Sequence, residues 1–270
     1  MTEAGGGEKA APVGDSARRR SRTIDWSVLA EPQPYNPLSK VNLGRSVEAE
    51  LLRSPTHPLA AVPPFLGAGI YAIYYGGNEE LYQPLSGSQT PIYVGKAVPA
   101  GARKGLITPG RLEHQLWDRL DEHRGSVEAA TDLDVADFRA RYLVADELFI
   151  PMAERLMIQG FQPVWNLIVD GFGNHNPGAG RHAGRRPPWD ELHPGREWSQ
   201  RMTQPSLHTA EASAERVRAH FERNPPARAD ALPGGLPDVR LRADEVPDSA
   251  LDAGPLPLFD QDDTSPEDGS

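Results

Sequence analysis

The chain has 270 residues, no cysteine, 27 prolines and 26 glycines, so proline and glycine make up about a fifth of it and favour loops or disordered ends. Without cysteine there are no disulfides, no Cys-ligated zinc or iron–sulfur centres and no thiol nucleophile. The formal charge of -10 sits in the C-terminal end: Pro225 to Ser270 hold 3 Arg against 11 acidic residues, which leaves the body close to neutral and able to carry a basic cleft.

Residues 1–30 form a Gly/Ala/Ser-rich arm with the run Arg18-Arg19-Arg20 and no apolar period, and are expected to be disordered. Leu43, Val47 and Leu51 then recur at i, i+4, i+8 and predict an amphipathic helix over Asn42–Leu52. The aromatic, β-branched Gly69–Tyr75 predicts a strand. A polar loop over Gly76–Gln89 leads to a second strand at Pro91–Gly95, and the two form a hairpin. Leu112, Leu116 and Leu120 place a helix over Arg111–His123. Phe138–Val144 is a third strand, and Phe149–Phe161 a helix with Pro151 in its first turn, where proline is tolerated. Thr209–Arg223 is a later helix with Thr209 as N-cap. From residue 224 to 270 the chain is Pro/Ala/Asp-rich and reads as an acidic disordered tail. The expected fold is therefore α+β: a short antiparallel sheet of about three strands flanked by helices, spanning residues 31–223. No run approaches a membrane span and no apolar N-terminal leader is present, so a cytoplasmic protein is the expectation.

Two tripeptides carry the first hint of chemistry, Gly69-Ile70-Tyr71 and Tyr93-Val94-Gly95. Because strand side chains alternate, Tyr71 and Tyr93 can share one face of the hairpin while the aliphatic neighbours face the core. Arg119 and His123 are four apart on a helix and so on one face. Glu154 sits early in the next helix, where a carboxylate is a good ligand for a hard cation. Asn166 follows in Pro163-Val164-Trp165-Asn166. Taken singly, each has an ordinary structural explanation. No P-loop, Gly-x-Ser-x-Gly or His-Glu-x-x-His motif is present.

In this order the residues resemble the GIY-YIG nuclease superfamily, and most closely its type II restriction endonuclease branch, NgoMIII-like. The matching segments are YNPLSKVNLGRSVEAELL, GIYAIYYGG, PIYVGKAVPAG, RLDEH, the stretch from Phe138 to Asn166 ending ERLMIQGFQPVWN, and GFGNHNPGAGR with WDELHPGREW, together covering about Tyr35 to Trp198. Val94 stands where the second name tripeptide has Ile. The resemblance implies hydrolysis of a DNA phosphodiester with Tyr71, Tyr93, Arg119, His123, Glu154 and Asn166 as the catalytic set. Glu154 is expected to hold one Mg²⁺ per active site, with Mn²⁺ as a substitute, and Arg119 to stabilise charge on the phosphate. Tyr71 would orient or deprotonate the water with His123 as assistant. Tyr93 would bond the phosphate or the water, Asn166 orient Glu154 or the phosphate, and Lys96 contact a phosphate. Which of Tyr71, Tyr93 or His123 takes the proton stays open.

The segment Gly171–Arg186 reads as a long, flexible, basic loop. Its Asn174, His175, Asn176, Arg181, His182, Arg185 and Arg186 are candidate DNA contacts, since Arg reads guanine and Asn adenine. The branch is associated with the palindrome CCGCGG, which fits an Arg-rich reader, and a palindrome fits a homodimer. A DNA methyltransferase is the functional partner that such an enzyme implies. The alternatives are a monomeric repair or homing nuclease of the same superfamily and a catalytically inert DNA-binding relative.

Overall fold

A four-stranded antiparallel sheet in the order β1-β4-β2-β3 organises the molecule. The computed structural model describes residues 36–99, 114–178 and 183–226. Its elements belong to the compact unit Pro37–Ser270. The expected N-terminal arm and nearly all of the acidic tail lie outside the described residues, as do Arg181 and His182.

The strands are β1 (His57–Pro58), β2 (Gly69–Tyr75), β3 (Tyr93–Ala97) and β4 (Phe138–Val144). The long helices are α1 (Lys40–Arg53), α2 (Gln115–Ala129) and α3 (Ile150–Phe161). Three short helices follow, α4 (Val164–Leu167), α5 (Pro188–Leu192) and α6 (Glu197–Gln200), and then α7 (Ala210–Arg223). The expected β2 and β4 coincide with the observed strands. Thr209 caps α7 as expected, accepting from the Ala212 N–H at 3.2 Å. Among the described residues no helix is long and apolar enough to cross a membrane.

Three expectations shift, each for a local reason. β3 runs over 93–97 rather than 91–95, because its ladder must match β2 from Gly69 opposite Ala97 to Ile73 opposite Tyr93. Pro91 has no N–H to give to that ladder. α2 continues past His123 to Ala129, although its apolar stripe thins. Arg124 bridges Asp121 and Glu128 there, one helical turn to either side, and Val127 is buried. The fourth strand, β1, was not expected: two residues, one of them a proline, show no alternation, and β1 sits at the sheet edge, where proline is tolerated.

The sheet has apolar cover on both faces. Ile70, Ala72, Tyr74 and Val94 meet Leu51 of α1 and Ile150, Ala153 and Met157 of α3. Tyr71, Ile73, Tyr75 and Phe138 meet Leu116, Leu120 and Val127 of α2, and beyond them Trp165, Phe172 and Trp189. All seven residues of the central strand β2 are therefore buried, and Tyr71 and the aliphatic residues alike lie inside a core.

Candidate active site

β2 and β3 place Tyr71 directly across from Gly95. A Cβ at position 95 would fall 2.3 Å from the Tyr71 hydroxyl, so this glycine makes the room in which the phenol lies. Tyr71 is fully buried, and its hydroxyl is 2.6 Å from His123 Nε2. His123 is itself buried on α2. Burial, reinforced by the positive charges of Arg119, His175 and Arg196, holds its pKa well below the ordinary histidine value. Burial and the neighbouring Tyr93 push the Tyr71 phenol well above 10, with Arg119 pulling the other way. The resting pair is therefore neutral, with Tyr71 donating its O–H to Nε2. Tyr93 joins from β3, its ring 6.2 Å from that of Tyr71 and 5.0 Å from that of His123. Burial raises the Tyr93 phenol to about 12.

Arg119 lies one turn before His123, on the same face of α2. It donates to Glu122 Oε2 at 2.7 Å, to the Gly173 carbonyl at 3.3 Å and to the His175 ring. A cleft of about 280 Å³ opens beside it, lined by Arg119, Glu122, His123 and Ser126 of α2 and by the segment 172–176.

Glu154 stands in the second turn of α3, close enough for its charge to raise both tyrosines. Its Oε2 accepts from Lys96 Nζ at 2.5 Å. Among the described residues no group of three or more His, Asp or Glu side chains gathers, so Glu154 is not part of a larger cluster of ligands. That fits Mg²⁺, which takes one or two carboxylates and completes its shell with water and substrate phosphate. The ammonium already on Glu154 is a stand-in for such a cation.

A family model for the Eco29kI GIY-YIG domain matches residues 63–221, more than half of the chain. The chain belongs to this family of GIY-YIG restriction endonucleases. No curated protein matches it. The match contains both name tripeptides and all of Tyr71, Tyr93, Arg119, His123, Glu154 and Asn166.

One expected contact in this GIY-YIG nuclease is different. Asn166 does not orient Glu154 but grips the backbone of β3: Val94 N–H donates to its Oδ1 at 2.8 Å, and its Nδ2 donates to the Val94 carbonyl at 2.8 Å. It thus acts as a piece of adjoining strand on the outer edge of the sheet. Lys96, expected at a phosphate, is paired with Glu154.

The described end of the basic segment is tied to the chain beyond it. Gly184 and Arg186 exchange backbone bonds with Gln204, in a parallel bridge of Arg185 to Gln204. Arg186 is turned inward, donating to Glu191 at 3.2 Å and to the Ser199 carbonyl at 3.4 Å. Arg185 is exposed, with one bond to the Pro205 carbonyl. His175 sits on Arg119. Asn174 and Asn176 are exposed, although Asn176 Oδ1 accepts locally from the Gly178 N–H.

Reading the sequence missed Glu122, Phe172 and Arg196. Glu122 had a signal, three residues from Arg119 on a helix. Phe172, whose ring stacks 4.5 Å from that of His123, had none, because the contact spans 49 residues of chain.

Proposed function

We propose that this nuclease is a Mg²⁺-dependent type II restriction endonuclease that cuts both strands of DNA at a short GC-rich palindrome, with CCGCGG the candidate site. The observation that carries the reading is the buried 2.6 Å bond from Tyr71 to a neutral His123, with Arg119 one turn away. Phosphodiester hydrolysis needs a water deprotonated beside a group that neutralises phosphate charge, and this arrangement supplies both.

The steps follow from these contacts. The DNA phosphate draws Arg119 away from Glu122 and His175, and its forked donors take the non-bridging oxygens. Tyr71 accepts a proton from the attacking water as it passes its own to His123 Nε2, so the proton comes to rest on the imidazole. That transfer is unfavourable in the resting protein, where Arg119 opposes a second positive charge. A phosphate on Arg119 offsets the opposition, which ties proton transfer to substrate binding. The water oxygen bonds to phosphorus, and the bond to the leaving 3′-oxygen breaks. Tyr93 holds the phosphate or the water. Glu154 would hold Mg²⁺, which supplies Lewis acidity at the phosphate and stabilises the leaving oxygen. Lys96, released from Glu154, becomes free to meet a phosphate.

One such site cuts one strand, so a double-strand break at a palindrome calls for a homodimer about a two-fold axis. A host carrying this activity needs a methyltransferase that protects the same sequence. The test is digestion of a plasmid with and without Mg²⁺, followed by run-off sequencing. Discrete Mg²⁺-dependent fragments ending in one palindrome support the reading. Nicked smears indicate a monomeric nuclease, and binding without cutting indicates an inert relative.

A further inference from the structure

Arg196, which lies outside the six-residue catalytic set, is the most completely bonded side chain near the site. It is 4 % exposed. Its Nε and Nη2 form a fork on Asp190, at 2.8 and 2.5 Å. Nη2 also donates to the Gly171 carbonyl at 2.8 Å, and Nη1 donates to the Phe172 and Asn174 carbonyls, each at 3.1 Å. All five N–H donors of the guanidinium are thereby engaged. Its guanidinium also lies over two tryptophan rings, 4.6 Å from that of Trp189 and 4.7 Å from that of Trp198.

What it holds is the segment that shapes the site. Phe172 stacks on His123 with ring planes 18° apart. The Gly173 carbonyl accepts from Arg119, and His175 sits on the same guanidinium. Three contacts to α2 thus come from a stretch whose carbonyls converge on one buried cation. Gly195 brings Arg196 close: its φ is +152, and a Cβ there would fall 1.7 Å from the Ala129 carbonyl oxygen at the end of α2.

We propose that Arg196 is a positioning residue, holding segment 171–175 as a rigid wall that sets the geometry of His123 and Arg119. This rests on the nuclease reading above for its consequence, though not for its geometry. A lysine keeps the charge but cannot bond five acceptors in a plane. Its effect should therefore fall on turnover rather than on DNA affinity.

The test compares Arg196→Lys and Arg196→Ala with the wild-type chain. Affinity for a cognate duplex is measured in Ca²⁺, and single-turnover cleavage in Mg²⁺. We expect Arg196→Lys to bind within about threefold of wild type. Its cleavage should slow by about 100-fold, the cost of a small misplacement of reacting groups. Guanidinium chloride at low millimolar concentration should partly restore Arg196→Ala, and methylammonium chloride should not. If Arg196→Ala does not fold, the lysine variant decides alone. Histidine ring NMR provides a readout independent of cutting: the His123 and His175 signals should shift in Arg196→Lys, while His114, exposed at the start of α2, stays in place. Wild-type cleavage by Arg196→Lys overturns the proposal, as does an equal loss of binding and cleavage with His123 unmoved. If the wild-type chain cuts no duplex, it is the nuclease reading that fails, and the histidine spectra still decide the role of Arg196.

Discussion

The Lys96 ammonium lies 2.5 Å from Glu154 Oε2, so the carboxylate expected to hold a metal already holds a cation supplied by the protein. Both side chains are partly exposed, which keeps the pair weak. If Glu154 holds Mg²⁺ as proposed, Lys96 and the ion compete for it. Replacing Lys96 by Met should lower the Mg²⁺ concentration at half-maximal cleavage by about two- to fivefold, the weight of a partly exposed ion pair. The maximal rate should fall, because the proposed phosphate contact of Lys96 is lost. A titration of single-turnover rate against Mg²⁺ measures both, and an unchanged midpoint would show that the two cations do not compete.

Removing the carboxylate charge while keeping its shape separates binding from chemistry. Glu154→Gln should bind cognate duplex in Ca²⁺-free buffer as wild type does and fail to cut it at any Mg²⁺ concentration. Gel shift and digestion of the same preparation check this. Cutting at saturating Mg²⁺ would reject Glu154 as the principal ligand.

Much of this architecture was readable in the residues themselves. β2 was recognisable because an unbroken run of aromatic and aliphatic residues has few alternatives to a buried strand, and β4 because its arginines Arg139 and Arg141 alternate with Phe138, Ala140 and Tyr142. Arg119 and His123 fell on one face because helical spacing requires it. What stayed hidden depends on distant parts of the chain meeting. Asn166 gave no sign of gripping Val94, since an amide that completes a sheet edge looks like any turn residue. Arg186 read as a DNA contact and Arg196 went unmarked, because a basic residue carries no local sign of an inward-facing partner such as Glu191 or Asp190.

The Asn166 clamp makes a stability statement. Asn166→Ala leaves the Val94 N–H and carbonyl without these two bonds and should cost about 1–3 kcal/mol. Asn166→Asp should also destabilise, since a carboxylate cannot donate to the Val94 carbonyl. Urea unfolding gives the energies, and faster hydrogen exchange at the Val94 amide would localise the loss to β3. Unchanged exchange at Val94 would contradict the clamp.

Glu48 on α1 is buried, and burial raises its carboxyl to about 7, against a smaller lowering by Arg45. Its folded pKa thus lies above the unfolded value of 4.5, so the folded state holds this proton more tightly than the unfolded one. The resulting stability is complete below the unfolded pKa and is lost as pH rises through about 7. Glu48→Gln should therefore be more stable than wild type at pH above 8 by about 2–3 kcal/mol, with the difference shrinking towards acid pH. Urea melts of both proteins across this range test the sign. A gap that widens towards acid pH would refute it.

The single-turnover rate of Tyr71→Phe reaches the central claim most directly. Phenylalanine keeps the ring packed against Gly95 and removes only the hydroxyl that bonds His123. If Tyr71 relays the proton of water to His123, cleavage should fall by about 10²–10⁴-fold, the usual worth of general base catalysis, while affinity for cognate duplex in Ca²⁺ stays unchanged. Cleavage by Tyr71→Phe at the wild-type rate would contradict the relay and leave the buried Tyr71–His123 bond a structural contact only.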